Sequence, residues 1–399
     1  MHPWSGILDL PRRVWLLCGC TLVNRMGTMA FPFLALYLVQ GRHWTPQAAG
    51  TALLVYGAGN LAAAPFSGRL ADRIGHGLLI RASLWGSGAM LLVLPLAVSP
   101  PLLFGAILLW ALLSQAFWPS SMALLSVLVP PRQRRAVFAL HRLVTNLGMA
   151  VGPALGGCIA MAGFRWVFWV DGLTTLASAV LLTLVFQSGA AEPRLAPEAA
   201  SPGEAPAWKD LSLVLLLLSC LPVLMVFAQS AAVLPLWLVR DLHFSSRFFG
   251  LVFTLNTLMI VVLEVALNLA MARWPHGSLL ALGAFLFALG FGLTGLARSA
   301  GGILLTVAIW TFGEMIMFPA LADAVAALSP PRRRGEYMGM FAFTFALGTA
   351  VGPWLGVLAY TRGGPGLAWG GCFVLGCASA AALCRFRAPG PSEAPEDAP

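Results

Sequence analysis

The residues with most chemistry to offer are charges that stand alone in otherwise apolar stretches. Glu314, in Thr311-Phe312-Gly313-Glu314-Met315, is the first of these. A carboxyl held away from water at such a place can take and release a proton, or it can serve as a structural acceptor between helices. Asp171, Glu264 and Asp323 are further proton-coupling candidates, each with a structural contact as its alternative. Arg25, beside Asn24, could pair with an acid or hold an anionic group of a bound molecule, and Arg142, beside His141, could face a cavity or pair with nearby groups. Tyr37, Asn60, Gln115, Trp118, Asn146, Gln229, Trp237 and Asn256 supply the polar and aromatic mixture that suits an amphipathic small molecule. Each of these is also compatible with ordinary packing or an interfacial position.

The elements that must position these residues follow from composition. Of 399 residues, 59% are hydrophobic and 10% charged, against about 25% charged in an average soluble domain. The mean hydropathy is +0.84. So few charges cannot clothe a soluble globule of this size, which leaves a lipid-facing exterior. A membrane helix needs about 20 mainly apolar residues. Cutting the chain at its charges and its Pro/Gly clusters gives twelve spans, near 14–39, 47–68, 78–98, 101–122, 137–161, 166–186, 211–239, 248–271, 278–297, 302–327, 337–360 and 368–385. The expected fold is therefore an all-α polytopic membrane protein. The segment Arg81 to Arg132 carries no charge between its ends, so the break at Ser99-Pro100-Pro101 must be a turn.

With the N-terminus inside, 16 of the 24 Lys and Arg residues fall on inner segments, six on outer loops, and Arg25 and Arg142 within spans. This bias places both termini in the cytoplasm and accounts for the net charge of +9 without a nucleic-acid partner. Arg12 and Arg13 before an apolar run resemble the start of a signal peptide. The run continues to Gln40 without a small-residue cleavage site, so it is expected to be the first span. The seven cysteines lie mostly in apolar stretches without paired C-x-x-C spacing and read as small hydrophobes. No cofactor or metal is expected. The division expected is an N-terminal six-helix bundle at 1–186, a Pro/Ala/Glu-rich cytoplasmic linker at 187–210, a C-terminal six-helix bundle at 211–387 and a disordered tail at 388–399.

An internal repeat runs at an offset of 200 residues. Trp110 and Pro119 match Trp310 and Pro319; Pro130-Pro131-Arg132 matches Pro330-Pro331-Arg332; Gly148, Gly152-Pro153 and Gly156 match Gly348, Gly352-Pro353 and Gly356. An even number of spans separates equivalent points, so both halves share one orientation, as in transporters whose bundles rock about a central cavity. The halves differ where chemistry is suspected. Ser114 stands opposite Glu314 and Ala123 opposite Asp323, while Arg25 and Arg142 face Met225 and Ala342.

Gly68-Arg69-Leu70-Ala71-Asp72-Arg73-Ile74-Gly75, between spans two and three, resembles motif A of the major facilitator superfamily, although His76-Gly77 replaces its usual basic end. The resemblance implies that Gly68 and Gly75 allow close packing and that Asp72 and Arg73 join a gating network. Gly148-Met149-Ala150-Val151-Gly152-Pro153-Ala154-Leu155-Gly156-Gly157 is similar to motif C of its drug:proton antiporters. Glycines at this spacing also make a smooth packing stripe with no direction of transport attached. Span four shows Ser114 and Gln115 where many members carry an arginine. The resemblance covers essentially the whole chain. It implies two six-helix bundles and a secondary active transporter, a multidrug-type exporter of hydrophobic or amphipathic small molecules coupled to protons. It also implies a monomer in a bacterial inner membrane. Alternatives are an importer or facilitator, a lipid or lysolipid translocator, and, in another class, a non-transporting receptor. No H-E-x-x-H, G-x-S-x-G or P-loop pattern occurs, and the only lysine is Lys209, so an enzyme or ATP-driven pump is not expected.

Overall fold

The computed structural model describes residues 10–130, 133–185, 206–330 and 333–386. Most of the expected linker, 187–205, and the expected tail, 388–399, lie outside the described residues.

Among the described residues every regular element is helical. Ten segments are long and apolar enough to cross a membrane. They comprise α1 (Arg12–Gly41), α3 (His76–Leu96), α4 (Pro100–Met122), α5 (Leu140–Ala162, in a helix that starts at Arg134), α6 (Phe164–Leu184), α7 (Leu211–Asp241), α8 (Ser246–Ala270), α9 (His276–Thr294) and α10 (Ala300–Leu328), with Gly335–Leu383 as the tenth. The count reaches twelve in two steps. Pro46–Ile74, 29 residues of mixed polarity, forms α2. The long final run turns at Gly364, whose φ of 71° suits glycine, and so divides into α11 (334–363) and α12 (365–383). The multi-pass membrane architecture read from the sequence is thus the one observed.

Local chemistry explains the starts. Thr45, Ser245 and Ser299 cap α2, α8 and α10 by accepting from Ala48, Phe248 and Gly302 N–H at 3.3, 3.2 and 3.1 Å. Pro46 and Pro100 occupy first-turn positions, where a missing N–H costs nothing. The repeat extends to the backbone. His43 and His243, 200 residues apart, both adopt positive φ, at 57° and 56°, each after a wide π turn.

One boundary needs correction. The stretch Gly68 to Gly75 was expected between spans, but α2 runs on to Ile74 and the turn is Gly75 alone, at φ 92°. Arg73 is exposed in the last turn. The side-chain surroundings of Gly68 and Asp72 lie outside the described residues.

The halves meet along α2 with α11 and along α5 with α8. Added Cβ atoms show how close they come: one at Gly50 would lie 3.0 Å from Val357, at Gly57 2.3 Å from the Cα of Ala350, and at Gly250 2.3 Å from the carbonyl of Pro153. Phe33 and Phe249 cross edge to face at 5.1 Å. The Gly50, Gly250 and Phe33 contacts lie towards the helix ends remote from the Arg-rich segments, and that of Gly57 lies near mid-span. The largest core cluster includes residues of both halves, whereas the cluster around Leu17, Leu124, Val137 and Leu182, at the basic end, holds first-half residues alone.

Candidate functional site

Among the described residues three helices are interrupted at mid-membrane depth, and in each a proline follows the break within a few residues. A proline cannot donate to the carbonyl four residues back. Pro32 breaks α1 after Gly27, Pro119 breaks α4 at Gln115–Ala116, and Pro235 follows the irregular turn Ala228–Ala232 in α7. Freed backbone groups in an apolar interior must find other partners.

In α1 the partner is Asp171. Its Oδ2 accepts from the N–H groups of Met29 and Ala30 at 3.1 and 2.9 Å, and its Oδ1 lies 3.4 Å from the Thr175 hydroxyl. Asp171 therefore caps the break from within the fold. Replacing it by Leu orphans two buried N–H groups and is expected to cost about 2–6 kcal/mol. Asp171→Asn retains a carbonyl oxygen and is expected to cost about 1–2 kcal/mol. Melting curves in detergent check the pair, and equal losses would contradict capping.

The glycine stripe on α5 holds the same break in place. A Cβ at Gly148 would meet Arg25 Cβ at 2.4 Å, one at Gly152 would meet the carbonyls of Arg25, Met26 and Thr28 at 3.0–3.1 Å, and one at Gly156 would meet Met29 at 2.8 Å. Gly157 faces the other way, where an added Cβ would lie 2.6 Å from the Ser246 carbonyl oxygen on α8. Pro153 contributes the carbonyl against which Gly250 packs.

A cavity of about 200 Å³ opens beside the break, walled by α1, α2, α3, α4 and α6. It brings together Asn24, Arg25, Asn60, Gln115, Trp118 and Asp171 from the residues singled out above, and adds Tyr56, Ser114 and Thr175. Asn24 donates to Thr175 at 3.2 Å. The Arg25 guanidinium carbon lies 5.5 and 5.7 Å from the ring centres of Trp118 and Phe117, and its Nε has no hydrogen-bond partner.

A second cavity, of about 280 Å³, lies where α5, α8 and α10 converge, lined by Arg142, Asn146, Glu264 and Glu314 with Met315, Phe318 and Pro319. Glu314 Oε2 accepts from Asn256 Nδ2 at 2.8 Å, and Asn256 also reaches the Thr311 hydroxyl at 3.0 Å. Arg142 on α5 forms an ion pair with Glu264 on α8, so one charge from each half meets at the cavity edge. Pro319 frees the carbonyl of Met315, to which Asn268 Nδ2 donates at 3.4 Å.

Four of the residues singled out lie outside the linings of these two cavities. Tyr37 is 1% exposed and packs on Phe168, 4.6 Å between ring centres. Trp237 donates to the Thr294 carbonyl at 3.2 Å beneath the guanidinium of Arg298. Both belong to the core at the remote end, because the wide turns after Leu36 and Pro235 bury them. Gln229 bridges the carbonyls of Met225 and Gly352 at 2.8 and 2.7 Å, tying the broken α7 to α11. Asp323 pairs with His276 at 2.8 Å in an exposed position at the basic end. Tyr56 and the Arg142–Glu264 pairing were not foreseen. The prolines were the available signal for the breaks, but nothing local marks partners more than 100 residues apart.

The Major Facilitator Superfamily model matches residues 17–237 and 215–399. The chain belongs to this superfamily. Among superfamily relatives it is 25% identical over 373 residues to the "Na(+), Li(+), K(+)/H(+) antiporter" of Planococcus maritimus, covering 84% of this chain and 87% of that protein. It is 25% identical over 329 residues to the "Multidrug resistance protein MdtH" of Enterobacter sp. (strain 638), covering 81% and 80%. A crystal structure of a peptide transporter in complex with sulfate superposes with a TM-score of 0.80 at 17% identity over 97% of this chain and 98% of that one. At that identity the likeness establishes the fold, a twelve-helix facilitator architecture.

Proposed function

We propose that this facilitator protein is a proton-coupled exporter of hydrophobic or amphipathic small molecules, working by alternating access between its two six-helix bundles. One observation carries the reading. Glu314, deep in α10 beside a cavity, is held by the neutral donor Asn256 rather than by a cation. A carboxyl with a neutral partner can alternate between protonated and ionised forms without leaving a buried countercharge behind. Its relatives, one named a cation/proton antiporter and another a multidrug resistance protein, are compatible with this function.

The interhalf pair Arg142–Glu264 holds α8 to α5 at the cavity edge and must break for the halves to part there. Close packing at the remote end and the first-half-only core at the basic end match a state whose cavity is reached from the basic side. In this reading the membrane is a bacterial inner membrane, and the positive-inside bias supports a cytoplasmic position for that side and for both termini. Glu264→Ala strands Arg142, and Arg142→Ala with Glu264→Ala removes both charges. The single variant is expected to lose at least about tenfold in transport, with partial recovery in the double variant. No recovery would remove the pair from the cycle.

A second reading, exchange of an alkali cation for protons, draws on the two carboxylates of the same cavity. Proteoliposomes carrying an internal pH dye separate the two. An imposed inside-acid gradient should be dissipated by amphipathic compounds from a toxic-compound panel and not by Na⁺ or K⁺ alone; dissipation by the cations alone overturns the exporter reading.

A further inference from the structure

The cavity inside the first half plays no part in the proton step assigned to Glu314, yet its wall holds an unsatisfied charge. Arg25 sits on the α1 backbone that Gly148 and Gly152 press against α5, so it has little freedom to withdraw. Its guanidinium lies against the rings of Trp118 and Phe117, and its buried Nε has no acceptor. None of the ion pairs among the described residues includes it. Asp171, the acid in the same wall, has its oxygens taken by Met29 N–H, Ala30 N–H and the Thr175 hydroxyl. A buried cation that no carboxylate meets directly is costly in a membrane interior and favours an anion in the cavity beside it.

We propose that this cavity is an anion subsite that takes the carboxylate of an amphipathic cargo. Arg25 meets the charge, and Asn60, Gln115 and Tyr56 offer neutral donors to the carboxylate oxygens. Phe31 and Trp110 offer apolar wall to the adjoining part of the molecule. About 200 Å³ suits an acidic headgroup with roughly one ring, the remainder of the cargo lying outside. This rests on the reading of the chain as a transporter, but not on proton coupling at Glu314.

The test is equilibrium binding of 2-naphthoate, its methyl ester and 2-naphthylmethylamine to the full chain in phosphatidylcholine nanodiscs. The expected result is naphthoate bound at least about tenfold more tightly than either of the others, with the preference lost in Arg25→Gln. Should Arg25→Gln fail to fold, Asn60→Leu and Gln115→Leu leave the charge in place and should each weaken naphthoate several-fold. Equal binding of the three compounds, preference for the amine, retained preference in folded Arg25→Gln, or unchanged affinity in both leucine variants overturns the subsite. Unchanged proton flux in Glu314→Gln defeats the proton reading and leaves this one standing.

Discussion

Replacing Glu314 by Gln is expected to reduce cargo-dependent proton flux in proteoliposomes to the level of empty vesicles, a loss of at least about tenfold. The substitution is nearly isosteric. Gln can still accept from Asn256 Nδ2 through its carbonyl oxygen, so the link from α10 to α8, 2.8 Å long in the parent, need not be lost. What disappears is the ability to bind and release a proton. Folding and cargo binding should therefore survive while coupling does not, and movement of cargo should cease to respond to an imposed pH gradient. The measurement is internal pH-dye fluorescence after addition of cargo, with melting temperature as the control for folding. Parental flux in a well-folded variant would shift the proton to Glu264, the other carboxylate in that cavity.

Gly57→Leu is the second large effect expected, and it acts on the movement rather than on the proton. Even the Cβ would lie 2.3 Å from the Cα of Ala350 and 2.5 Å from its Cβ, against backbone that cannot step aside. α2 and α11 can then no longer pack together near mid-span, so the state in which they do, with the remote end closed, is penalised. A penalty of a few kcal/mol suffices to invert a two-state population. Transport should fall at least about tenfold, because a transporter held on one side cannot cycle. Spin labels at Gln47 and Thr361, which flank a cleft at that end in the parent, should report a longer distance in the variant. Gly57→Ala should give a smaller shift in the same direction. An unchanged distance together with normal transport would show that this contact does not set the equilibrium.

The two variants probe features that were unequally legible in the sequence. Glu314 stands out because charge is rare in the apolar runs, and the glycines stand out because they recur at a 200-residue offset. What each glycine faces was not legible. Gly148 and Gly152 meet a broken stretch of α1, whereas Gly157 meets α8, and only the packing of three helices separates those roles. Asp171 shows the same gap more sharply. In sequence it is an isolated acid and a proton-coupling candidate, but in the fold it accepts two N–H groups from residues more than 140 positions away.

The sequence by itself determined the membrane, the twelve spans and the two-fold repeat, because each rests on hydropathy and residue spacing along one chain, and a bilayer imposes its thickness on every segment alike. Tertiary structure alone decided which charges stand together. It placed Arg142 against Glu264 across the halves, gave Glu314 a neutral partner, turned Asp171 into a cap, and left Arg25 in a cavity without an acceptor. The physical reason is that electrostatic and hydrogen-bond partnership depends on distances of a few ångströms between helices, and these distances are set by where prolines break a helix and glycines let another approach.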